Sequence, residues 1–268
     1  MKKSMFLEGL KSSFPTIVIL ISLAISIYVF KYIFGDPSHF QGGNIENNPV
    51  KGDYFGVIYK GGMIVPILMT FLLMTVAFSI ERFLSISRAK GRGSVTRFMF
   101  NIKEQLKSNN IDQAIALCDK QRGSLANVIR AALHKFKEMK EDRVLNKEQK
   151  TVTIQKELEE AIALELPMMS RNLPILSTLG SISTLVALIG TVLGMIRAFA
   201  ALATSGAPDA VALATGISEA LINTAFGITV ATFAIIFYNY FNTQIDSITY
   251  KMDEAGFILV QTFAASEK

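Results

Sequence analysis

Hydrophobic and polar positions divide this chain into four long apolar runs and one charged interval. Residues 12–30 carry no charge and are dense in Ile, Leu and Val. Residues 61–80 form a second uncharged run, opened by Gly61 and Gly62, with Pro66 in the first turns, where a missing amide hydrogen costs least. Residues 172–196 and 220–245 are uncharged too, interrupted only near their junction by Arg197 and Glu219. Each run reaches roughly the 20 residues that a helix needs to cross a bilayer. The pattern therefore predicts four transmembrane helices.

Between the runs the pattern changes. Residues 35–60, with Pro37, Gly42, Gly43, Asn47, Asn48, Pro49 and Gly52, have loop chemistry and no apolar period. Residues 81–171 hold 18 Lys and Arg against 12 Asp and Glu and read as a helical insert. Within it Asn110-Ile111-Asp112 and Gly123-Ser124 mark helix boundaries, and Leu125, Val128, Ile129, Ala132 and Leu133 recur at helical spacing. From Thr151 an amphipathic helix leads straight to the third run, with Pro167 and Pro174 near the entry as points of bending or breaking. The fourth run continues past Asn239 as an amphipathic tail through Ile245, Ile248, Met252, Phe257 and Ile258. The turn signal Gly206-Ala207-Pro208-Asp209 separates the third and fourth runs.

Charge placement orients the spans. Arg88, Lys90, Arg92 and Arg97 follow the second run and Lys2, Lys3 and Lys11 precede the first, which puts both flanks on the cytoplasmic side. Both termini and the 81–171 interval are then cytoplasmic. The first run is read as a retained anchor, since it ends in Lys31-Tyr32-Ile33-Phe34 without a small-x-small cleavage pattern.

Composition agrees: half of the 268 residues are hydrophobic and 18% are charged, which is membrane-protein usage. The lone Cys118 excludes an internal disulfide, and His39 and His134 both lie outside the apolar runs. The chain offers no Ser/His/Asp set, phosphate-cradling loop or metal cluster, so it reads as no enzyme, with no cofactor and no metal. The basic insert could bind acidic lipids or nucleic acid, but it lacks aromatic interleaving and lies beside two membrane exits, so its charge is read as topology. For the chain as a whole membrane lipids, and not nucleic acid, are expected partners.

On the third span Ser183, Ala187, Gly190, Thr191, Gly194 and Ala198 share one broad face. On the fourth, Gly216, Ala220, Asn223, Thr224, Gly227 and Ala231 do the same. Small faces allow close backbone approach, and Thr191 and Thr224 alone read as packing residues that bond back to a carbonyl four positions earlier. Arg197 and Glu219 fall at similar depth and are candidates for an intramembrane ion pair, within or between subunits, with snorkelling of Arg197 to the interface as the alternative.

Leu188-Ile189-Gly190-Thr191-Val192-Leu193-Gly194-Met195-Ile196, then the block from Gly216-Ile217-Ser218-Glu219 to Asn223-Thr224-Ala225-Phe226-Gly227, with Tyr238-Asn239 closing the last span, resemble the MotA/TolQ/ExbB proton channel family. The resemblance is strongest to its ExbB and TolQ branch and runs over residues 61–265. It implies an all-α integral membrane protein that assembles as a pentameric ring in the bacterial inner membrane around a one-span ExbD- or TolR-like partner. Proton flow would then drive TonB- or TolA-type work on the outer membrane. It also implies that Thr191 and Thr224 face the lumen near the partner's protonatable acid, with Glu219 towards the outer end and Asn223 beside them. Gly190, Gly194, Gly216, Ala220, Gly227 and Ala231 pack the helices.

Departures from the family pattern fall at Thr184, Ala187, Arg197 and Asn223, where Pro, Gly, His or Asn, and Ala are common. The expected organisation is 1–34 with an added first span, loop 35–60, span 61–81, cytoplasmic helices 82–171, span 172–201, loop 202–213, span 214–240 and cytoplasmic tail 241–268. A flagellar-type stator and a non-conducting membrane scaffold remain as alternatives.

Overall fold

The computed structural model describes residues 2–204 and 210–266, so the turn expected at 206–209 lies outside the described residues. Helix α1 (Lys2–Tyr28) passes into a π-helical turn, Val29–Phe34, and a short α2 (Tyr54–Tyr59) follows. Then come α3 (Ile64–Ala89), α4 (Val95–Lys107), α5 (Ile111–Gln121), α6 (Ser124–Glu141), α7 (Lys147–Ser170), α8 (Leu173–Thr204) and α9 (Ala210–Ser266). Among the described residues the only β feature is an isolated bridge between Phe40 and Pro49. Among the described residues four stretches are long and apolar enough to cross a membrane: Ser13–Phe34, Ile64–Ala89, Leu173–Ala203 and Val211–Ser266.

The chain divides into two units. The first holds residues 1–80 and 174–238, and therefore α1, the first loop, most of α3, α8 and the first half of α9. Its helices meet through small and hydroxyl residues. Ser22 and Ser26 of α1 and Thr70, Thr75 and Ser79 of α3 are buried, and Phe14 meets Phe78 edge to face at 6.0 Å. Many large apolar side chains point outward: Leu185, Leu188, Ile196 and Phe199 of α8 are all exposed, whereas Leu68, Phe78, Leu176 and Val230 are buried. In water that surface would be unstable; in lipid it is the ordinary exterior of a span.

The first loop is more ordered than its composition predicts. Asp53 caps α2 by accepting from the amides of Phe55 at 2.9 Å and Gly56 at 3.3 Å, and His39 Nδ1 lies 2.6 Å from its other oxygen. Phe30 and Phe34 of the π turn stack on Tyr59 and Phe55, at 4.8 and 5.3 Å between ring centres. Lys60 donates to the carbonyls of Ile45 and Glu46. Aromatic area replaces the missing apolar period, because flat rings bury much surface in few residues.

The second unit holds residues 81–173 and 239–268. Phe98, Ile102 and Leu106 of α4, Leu125, Ile129, Leu133 and Phe136 of α6, Ile154 of α7 and Met252, Leu259 and Phe263 of α9 form its core. Phe136 meets Phe263 edge to face at 4.9 Å. Asn146 and Gln149 form a reciprocal capping box that starts α7.

One expectation is corrected here. The chain does not run from Thr151 into the third span as one helix: α7 ends at Ser170, Asn172 takes φ +62°, and α8 starts at Leu173. Pro167 lies inside α7 without ending it. The break is held by a polar knot: buried Arg82 donates to the Met169 carbonyl at 3.0 Å and forks onto Glu81, which also accepts from Asn172 at 3.4 Å. A guanidinium thus satisfies one of the last carbonyls of α7, where a cation is favoured by the helix dipole.

Candidate functional site

The site is built on the antiparallel pair α8 and α9, which small residues bring into near-backbone contact. A Cβ added to Gly194 would stand 2.9 Å from the Ala220 amide nitrogen and the Gly216 carbonyl oxygen, and one on Gly216 would stand 2.8 Å from the Ala198 Cβ. Lower on the pair, Gly227 faces Ala187 and the Ser183 carbonyl, and Gly190 lies against the Asn223 side chain. Ala187, Ala198, Ala220 and Ala231 are all buried. Larger residues would hold the helices too far apart for short side chains to meet across them.

That closeness brings the two threonines together. Thr191 Oγ1 and Thr224 Oγ1 are 2.6 Å apart, both half-buried. Each hydroxyl also reaches the carbonyl four residues back, Thr191 to Ala187 at 3.0 Å and Thr224 to Ala220 at 3.1 Å, and Thr191 lies 3.4 Å from the Ala220 carbonyl. Back-bonding and pairing coexist. A hydroxyl has one proton and two lone pairs, so when one threonine donates to the other, the second still donates to its carbonyl. Lone pairs remain on both oxygens, and a water or an acid can add to them.

The second cluster forms around Glu219. Its carboxylate, with a side chain 8% exposed, is paired with Arg197, whose side chain is 59% exposed. Gly62, at φ +75°, passes beside the same carboxylate, so a side chain there would strike Glu219. One turn further along, Asn223 is fully buried and its Nδ2 donates to the Gly61 carbonyl at 3.0 Å. Asn223 Oδ1 is buried with no protein partner among the described residues. The glycine pair before α3 thus forms a wall of this cluster, a role that sequence reading missed although Gly61-Gly62 was visible as the start of a span.

Thr191 and Thr224 therefore meet each other, while Arg197, Glu219 and Asn223 group with Gly61 and Gly62. Asn223, expected among the lumen-facing residues, is enclosed within the chain's own helices. Between Ala225 and Phe237 α9 carries no ionisable side chain. Among the described residues no group of three or more His, Cys, Asp or Glu could hold a metal.

A sequence model described as the MotA/TolQ/ExbB proton channel family matches residues 120–254, half of the chain and the whole of the α8–α9 site. The chain belongs to the MotA/TolQ/ExbB proton channel family. Curated relatives agree. The Tol-Pal system protein TolQ of Pseudomonas aeruginosa is 33% identical over 117 residues, 44% of this chain and 51% of that protein. The biopolymer transport protein ExbB of Salmonella typhimurium is 39% identical over 90 residues, covering 34% and 37%. ExbB of Pseudomonas putida is 29% identical over 165 residues, covering 61% and 49%. The matched stretch thus spans about half or less of each relative. In this MotA/TolQ/ExbB chain, α1 and the first loop lie outside the family match.

Proposed function

We propose that this chain is the housing subunit of a proton-driven machine in the bacterial inner membrane. Several copies, five in our reading, surround the span of an ExbD- or TolR-like partner and couple proton flow to TonB- or TolA-type work at the outer membrane. Both termini and residues 82–171 and 241–268 are cytoplasmic. The observation that carries the reading is the Thr191–Thr224 hydroxyl pair, set within two apolar spans, 172–201 and 214–240, that offer no acid of their own beyond Glu219. The hydroxyls orient water or the partner's carboxyl without titrating, and the acid that gains and loses the proton belongs to the partner. A charge crossing 100 mV yields about 2.3 kcal/mol, so repeated steps supply the work.

The test is proton flux in vesicles holding the chain with its partner. Thr191→Val with Thr224→Val should abolish flux while the complex still copurifies intact. Back-bonding of both hydroxyls favours a second reading, a non-conducting scaffold. Unchanged activity in the double variant, with no flux in either form, would select that reading.

A further inference from the structure

The basic charge of the second unit is unevenly satisfied. On α6 the cations pair inside the protein: Arg130 with Asp119 and Lys137 with Asp112, both of α5, Lys135 with Glu138, and Lys140 donates to Asn109. On α4 they do not. Arg97, Lys103 and Lys107 are exposed, and no partner for their side chains is found among the described residues. Arg92 and Arg122 extend the same unpaired charge, brought together because the Arg92 amide donates to the Gln121 carbonyl at 2.7 Å.

Contrary to the expectation that the basic insert lacks interleaved aromatics, an aromatic ring sits within that charge. Phe98, Ile102 and Leu106 turn α4's apolar face into the core, whereas Phe100 is 67% exposed on the opposite face. Arg97, Phe100, Lys103 and Lys107 follow at helical spacing and form one stripe, with Glu104 the single carboxylate beside it. After the expected span 61–81, α3 continues for eight residues, about 12 Å, and five more, 90–94, join it to α4, so α4 starts within roughly 30 Å of the end of that span. The positive-inside rule assigns that flank to the leaflet richest in acidic lipids.

We infer that the Arg97–Phe100–Lys103–Lys107 face of α4 is a membrane-surface anchor, in which Phe100 enters the interface of the adjacent leaflet and the three cations bind anionic phospholipid headgroups. What sets Phe100 apart from the equally exposed Phe257 is its place among cations, which internal pairing does not neutralise as it does on α6. An aromatic residue among unpaired cations is the pattern of interfacial helices. The inference rests on α3 being a span and is independent of proton coupling.

The chain has no tryptophan, so Phe100→Trp introduces a single reporter at an exposed position. The full chain carrying it is reconstituted into phosphatidylcholine vesicles with or without phosphatidylglycerol, including lipids brominated on their acyl chains. Docking predicts blue-shifted emission and bromine quenching only with phosphatidylglycerol, reversed by high salt. Each of Arg97→Gln, Lys103→Gln and Lys107→Gln should lower the docked population about fivefold. Phe257→Trp, on another exposed site of the same unit, serves as control and should not respond. Emission that ignores lipid charge, an equal response at 257, or a shift produced by added RNA or an acidic protein but not by phosphatidylglycerol overturns the inference. Unaltered helicity in circular dichroism ties any loss of quenching to charge rather than unfolding.

Discussion

At the scale of single residues, Thr191 and Thr224 show why residue type alone does not reveal function. Both make the back-bonds that any membrane threonine can make, yet the small residues around them bring the two hydroxyls to 2.6 Å. The sequence motif carried the pairing only through its glycines and alanines, whose small size sets the approach. Asp53 is a simpler case. Its hydrogen bond with His39, aided by the amides of α2, holds its carboxyl below the usual carboxylate value. A lowered folded-state value means that the carboxylate's contribution is present above the unfolded pKa of about 4 and is lost as pH falls through the lower, folded one. Protection of the Phe55 and Gly56 amides, measured by hydrogen exchange, should therefore drop at acidic pH. Asp53→Asn should show part of that loss already at neutral pH.

At the scale of elements, the helices were legible and their joints were not. Periodicity located the four apolar runs, Gly123-Ser124 marked the start of α6, and the tail beyond Asn239 continues α9 to Ser266. The break between α7 and α8 could not be read locally. Two prolines advertised it, but it falls at Asn172, where Arg82 and Glu81, about ninety positions away in sequence, supply its hydrogen bonds. The order of the first loop was hidden for a related reason, since its rings pack on a π turn that no propensity signals. Arg82→Ala should cost about 3 kcal/mol, because a buried carbonyl and Glu81 both lose their partner. Denaturant unfolding in detergent would measure it, and exchange of residues 166–172 should rise. Arg82→Lys should lose less, keeping the charge but not the fork.

At the scale of the whole molecule, the family match and the structure divide the chain differently. Residues 120–254 take in parts of both units, so what the family shares is the α8–α9 pair together with the helices that continue it or precede it. α1, the first loop and the unpaired basic face of α4 lie outside that match. The candidate site itself was legible as a motif, and so was the Arg197–Glu219 pair of its second cluster; the glycine wall of that cluster was not, because Gly61 and Asn223 are joined only by folding.

Cys118 lies in the core of the second unit, 2% exposed, and burial pushes its thiol up to about 12. At neutral pH only about one such group in a hundred thousand is a thiolate, and the thiolate is the reactive form. Maleimide should therefore leave the native chain unlabelled while folded and modify it once unfolded, as mass spectrometry would read. A cysteine placed at Tyr28, Phe100 or Tyr250, all exposed, would then be the only reactive sulfur in each copy. The wild-type chain thus supplies its own silent background for chemical mapping of every surface.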